Sequence, residues 1–171
     1  MSDDEAKDAA PAPGDTTRFA GLQAFQHGVR AMLGRAASEG WTELILSDPD
    51  FSDWPLGERA TLDLLNTWAG FGRHLTMLAG SYDEILRRHA RFVVWRKTWS
   101  HIIECRQSGG GDPRSTPSAI WSQGHLLHRF DQENCAGLET REPVRCIQLR
   151  HELNEWITLS APAFPASKLG L

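Results

Sequence analysis

The chain is poor in cysteine, and it has no long apolar stretch and no strong excess of one charge. Three cysteines stand at Cys105, Cys135 and Cys146. They are too few and too scattered for a disulfide framework, and an odd count points to a reducing compartment, so cytoplasm is the expectation. No run of 18 apolar residues occurs, which excludes a helical membrane span. The opening MSDDEAKDAAPAPGD lacks the basic start and apolar stretch of a signal peptide, and it reads as a disordered acidic tail over 1–15. Eighteen Lys and Arg against 22 Asp and Glu give a formal net charge of -4. That disfavours a nucleic-acid-coated surface while leaving room for a local basic patch. There is no C-x-x-C, no H-E-x-x-H, no G-x-S-x-G and no Walker loop, so the familiar zinc, metalloprotease, serine-hydrolase and nucleotide signatures are missing.

What is present is enough apolar matter for a core. Hydrophobic residues make up 40% of 171, and a chain of this length buries roughly 70% of the surface its unfolded form exposes. The expectation is one α/β domain over 16–171. Phe19, Leu22, Phe25, Val29, Met32 and Leu33 recur at helical steps, which predicts a helix over 17–38 stopped by Gly40. Residues 41–46, WTELIL, predict a strand covered on both faces. A helix over 57–68 follows, then a strand over 73–78, then a short helix from Ser81 to Arg88. Phe92, Val93, Val94 and Trp95 form a third apolar run that completes a helix–strand alternation. That alternation predicts a mixed, partly parallel sheet flanked by helices. Residues 102–106 fit either an extended segment or a helix end. Residues 107–118, rich in Gly, Ser and Pro, predict a flexible loop, and 119–130 a strand. Pro143 starts a last helix, with Val144, Ile147, Leu149, Leu153, Trp156 and Ile157 as its apolar face. Phe164, Leu169 and Leu171 are apolar enough to dock on the body.

Four groups of residues bear on candidate chemistry. Asp48, Asp50 and Asp53 follow the first predicted strand, at the edge where open α/β sheets place ligands. They would hold Mg²⁺ or, more simply, nucleate turns and cap helices. Arg87, Arg91, Arg96 and Lys97 lie interleaved with Trp95, Trp99 and His101, and this set is the candidate ligand site. Guanidinium forks hold phosphates, and aromatic faces stack beside them. The alternative is a salt-bridged rim over core tryptophans. His125, His128, Cys135, Cys146 and His151 have zinc-type side chains without zinc-finger spacing, and no metal or other cofactor is assigned to them. His101, Glu104 and Cys105 offer only weak support for covalent catalysis, because neighbours in sequence need not be neighbours in space.

LILSDPDFSDWPLGERA, RHLTML and HARFVVWRKTWSHIIECR, with the ending APAFPASKLGL, resemble small uncharacterised bacterial proteins related to the phospholipase D-like fold. The resemblance covers the chain after Phe19 and implies a phospholipase D-like sandwich. Active members of that superfamily use H-x-K-x-x-x-x-D: the histidine attacks phosphorus, the lysine holds phosphate oxygens, and two copies usually meet across a cleft. Here His89 is followed by Arg91 and, at the aspartate position, Arg96. His101 is followed by Ile103, His125 by Leu127, and His128 by Phe130. No position carries the motif. The resemblance therefore implies a non-catalytic domain that binds a protein or a phosphate-bearing anion. The rivals are a metal-assisted or histidine-dependent phosphoester hydrolase, with His89 or His101 as nucleophile or base, and a structural homodimer.

Overall fold

The computed structural model describes residues 15–165. The predicted acidic tail, apart from Asp15, and the predicted docking of Leu169 and Leu171 lie outside the described residues. Eight strands form one sheet: β1 (Thr16–Phe19), β2 (Glu43–Asp48), β3 (His74–Ala79), β4 (Ile103–Gln107), β5 (Ser118–Ser122), β6 (His125–Asp131), β7 (Ala136–Thr140) and β8 (Ala161–Pro162). The helices are α1 (Leu22–Glu39), α2 (Arg59–Trp68), α3 (Asp83–Arg88), α4 (Ala90–Thr98) and α5 (Pro143–Thr158). The strand order is β1-β7-β6-β5-β2-β3-β4-β8. Strands β2, β3 and β4 run parallel, and every other pairing is antiparallel. This is the mixed, partly parallel α/β sandwich that the alternation of elements predicts.

Side-chain alternation along β2 explains the layers. Leu44 and Leu46 join the larger core, with Phe25, Leu33, Leu65 and Phe92 from α1, α2 and α4, while Ile45 faces the smaller core under α5. A strand apolar on both faces needs helices on both sides, which is why WTELIL reads as a continuous run. Two glycines shape α1. Gly40 ends it in the left-handed conformation at φ 67°. Gly28 lets it lie against β6: a Cβ there would stand 2.7 Å from Leu127 Cδ1.

Three elements differ from the sequence-based expectation. Residues 16–19 form an edge strand paired with β7, so the first helix begins only after Gly21. Phe92–Trp95 lies within α4: Phe92, Trp95 and Arg96 are buried while Val94 is exposed, a helical alternation that four successive apolar residues conceal. The third parallel strand is instead Ile103–Gln107. On α5 the buried stripe is Cys146, Leu149 and Leu153, and Val144 and Ile147 stay exposed. Phe164 packs as expected, stacked on Tyr82 with ring centroids 5.1 Å apart.

Candidate functional site

The basic run is spread over separate environments. Arg87 and Arg88 turn back on Glu84 at 2.5 and 2.6 Å. Arg91 Nη1 donates to Gly57 O at 2.8 Å. Trp95 is a core residue, 4% exposed. Trp99 Nε1 donates to Asn66 Oδ1, with the exposed His101 ring 5.8 Å away. Arg96 and Lys97 line one cavity, beside Tyr82 and Phe164, while Arg91 and Trp95 line a different one. A helix of this length sends successive side chains around its whole circumference, so proximity in sequence does not become convergence.

The acidic loop after β2 is a structural turn locked by a cation from β6, two strands away on the same face of the sheet. The Asp48 carboxylate accepts the backbone N–H groups of Asp50 and Phe51, and Asp50 accepts that of Ser52. Arg129 of β6 then reaches across. Its Nη2 donates to Asp48 at 2.9 Å, its Nη1 to Asp53 at 2.5 Å and its Nε to Ser118 Oγ at 3.0 Å. The guanidinium also lies 4.0 Å from the centroid of the Phe25 ring. Burial opposes the charge on Arg129, but its bonds to Asp53 and Asp48 outweigh that and raise its pKa. Phe51, at φ 58°, is held in the left-handed region, and the buried His89 buttresses it with Nε2 2.8 Å from Phe51 O. The sheet edge that suits a ligand is thus filled by an internal ion network. Asp48 and Asp53 are committed to Arg129 rather than turned outward toward a metal, and among the described residues no three His, Cys, Asp or Glu side chains are grouped to hold one.

At the opposite end of β2 the structure assembles a different constellation. His125 opens β6, and its Nε2 stands 2.7 Å from Glu139 Oε1 of β7. The histidine is 2% exposed, its ring centroid is 5.6 Å from that of Trp41, and its Nδ1 has no hydrogen-bond partner. Ser122 Oγ donates to the His125 carbonyl across the β5–β6 turn. Trp41, Ser122 and His125, with Thr42, Glu43, Gly124 and Arg141, line a cavity of about 250 Å³. The sequence reading weighs His125 only as a metal ligand. Glu139 has no distinguishing motif, and only the β6–β7 pairing brings it alongside. His128 lies on the other sheet face from the Arg129 network, where burial lowers its pKa and Glu152 partly restores it. Cys135 Sγ sits 3.6 Å from Arg129 Nη1, Cys146 is buried on the inner face of α5, and His151 is exposed. Cys105 is buried too, and its thiol is pushed up to about 11 by that burial.

No family model matches the chain, and no curated protein does. Solved structures do match by shape. TrmBL2, an archaeal chromatin protein whose structure shows a novel mode of DNA binding, superposes with a TM-score of 0.65 at 11% identity, over 93% of this chain and 58% of its own. The phosphatidylserine synthase of Haemophilus influenzae gives 0.59 at 13% identity, over 92% of this chain and 41% of its own. Nuc from Salmonella typhimurium, a phospholipase D family member, gives 0.53 at 10% identity, over 87% and 99%. The chain therefore spans a little over half of TrmBL2 and less than half of the synthase. The expectation of a non-enzymatic domain is corrected by these likenesses, because the architecture recurs in a synthase and in a phospholipase D family member. Among the described residues, no helix is long and apolar enough to cross a membrane. At these identities the likeness establishes the architecture: the chain has a phospholipase D-like α/β fold.

Proposed function

We propose that this chain is a histidine-dependent phosphoester hydrolase whose reacting group is His125, oriented by Glu139. The observation that carries the reading is the 2.7 Å contact between His125 Nε2 and the Glu139 carboxylate, beside a cavity that His125 and Arg141 line. A carboxylate on Nε2 keeps that nitrogen protonated and leaves the lone pair on Nδ1. A buried ring nitrogen without a partner costs about 1–3 kcal/mol, which is tolerable at a site that engages a ligand. In the proposed reaction Nδ1 takes a proton from the attacking water. The water oxygen bonds to phosphorus, the ester P–O bond breaks, and the proton passes to the departing alcohol oxygen. Glu139 stabilises the transient imidazolium, and Arg141 offsets charge on the phosphoryl oxygens. His89 and His101 suit the role less well. His89 is spent on a backbone carbonyl, and His101 has an aromatic neighbour and no carboxylate partner among the described residues. The metal-assisted version is disfavoured because Arg129 already occupies Asp48 and Asp53.

Purified protein assayed with bis(p-nitrophenyl) phosphate tests the proposal. Loss of an acid–base group typically costs about 10²–10⁴-fold in kcat, and that loss is expected for His125→Ala. Glu139→Gln should lower kcat while leaving KM nearly unchanged. The reading fails if the wild type turns over neither phosphodiesters nor phosphomonoesters, or if folded His125→Ala keeps full activity.

A further inference from the structure

A second cavity, of about 360 Å³, opens at the C-terminal ends of β3 and β4. Ser81 and Tyr82 follow β3, Gln107 ends β4, Val93 and Arg96 come from α4, and Phe164 closes the far wall. The walls are mostly hydrocarbon and aromatic, with one buried cation among them. Arg96 is 7% exposed. Its Nε donates to Phe164 O at a long 3.3 Å, its Cζ stands 5.9 Å from the Phe164 ring centroid, and its Nη1 has no acceptor among the described residues. Its neighbours Cys105 and Tyr82 are neutral, and Glu104 lines an adjoining recess with Arg96 without forming an ion pair with it. Burial holds the Cys105 thiol and the Tyr82 hydroxyl in their protonated forms. Among the described residues no carboxylate forms an ion pair with Arg96. Asp83 and Lys97 stand at the rim, both exposed, and offset one another in charge. A guanidinium cannot lose its proton under ordinary conditions, so burying one without an anion is unfavourable before any compensation.

We infer that this cavity binds an amphipathic organic anion, its carboxylate directed to Arg96 and its apolar body laid along Tyr82, Val93 and Phe164. The position agrees with the rule that open α/β sheets take ligands beyond the carboxyl ends of their parallel strands. At 360 Å³ the space falls at the small end of ligand pockets and suits a short-chain carboxylate rather than a polymer. The site is separate from the His125 cavity, so it stands or falls independently of the proposed hydrolase activity.

Calorimetric titration of the full chain with octanoate, octanol and inorganic phosphate tests the inference. Octanoate should bind at least tenfold more tightly than either of the others. Octanol matching octanoate would overturn the role of the charge, and phosphate matching it would overturn the role of the apolar walls. Arg96→Met should weaken octanoate at least tenfold while melting at or above the wild-type temperature, because it removes an unpaired buried cation. Unchanged binding in that variant refutes the site. Val93→Trp fills the cavity with Arg96 in place, and it decides the matter should Arg96→Met fail to fold. Blocked octanoate binding supports the inference, and wild-type affinity overturns it.

Discussion

Arg129 is the side chain on which two distant segments depend. It is 2% exposed, and its partner Asp48 is 1% exposed. The pair is separated by 81 residues in sequence, yet β6 and β2 flank β5 in the sheet and both side chains face α1. Removing the cation alone strands a buried carboxylate. Arg129→Met is expected to lower the unfolding free energy by about 3–5 kcal/mol, the usual consequence of breaking a buried pair from one side. Asp48→Asn combined with Arg129→Met should recover a large part of that loss, because the orphaned charge goes with its partner. Urea denaturation of both variants measures the difference, and equal losses would mean that the network is not coupled as its geometry implies. The sequence shows three clustered aspartates and a plausible turn, and the turn is there. It holds no sign that the cation satisfying them lies on β6. The same limit applies to His125 and Glu139, whose pairing follows from strand neighbours 14 residues apart.

Elements were legible in proportion to the clarity of their period. α1 and α2 have buried stripes at three- and four-residue steps and definite stops, and both end close to where expected, although α1 starts five residues later than its pattern implies. α4 did not reveal itself, because Phe92–Trp95 presents four apolar residues in succession and its polar positions are arginines and a lysine with long aliphatic stems. The hairpin of β6 and β7 depends on one glycine. Opposite Gly137 the ladder carries an irregularity between Arg129 and Asp131, and a Cβ at Gly137 would meet His128 O at 2.0 Å. The obstacle is backbone, so it cannot rotate away. Gly137→Ala should therefore destabilise the protein by at least the upper part of the roughly 1–3 kcal/mol that overpacking costs. Because Arg129 stands at the irregularity, the variant should also increase amide exchange at Asp50 and Phe51, the donors to Asp48. Normal stability in thermal melts would refute the clash.

At the scale of the whole molecule one sheet serves two cores. The larger, under α1 to α4, holds Leu65, and the smaller, under α5, holds Leu153; both leucines are fully buried. Since β2 contributes Leu44 and Leu46 to one core and Ile45 to the other, the layers should not melt apart. Leu65→Ala and Leu153→Ala are each expected to cost about 2–5 kcal/mol. Each should unfold in a single denaturant transition with the wild-type slope, and a second transition in either would show that the layers are separable.

The amino-acid sequence by itself determined the class of architecture. Apolar residues that recur with helical period, short runs apolar on both faces and glycine or proline at the junctions suffice to imply helices on both sides of a partly parallel sheet. Those signals are local, and a chain reads them without knowing its final form. Only the tertiary structure decided which polar side chains meet. It paired Arg129 with Asp48 and Asp53 and His125 with Glu139, left Arg96 buried without a carboxylate partner among the described residues, and sent the other arginines of the basic run to different surfaces. Strand order brings such partners together, and strand order is a global outcome of packing that no local spacing encodes.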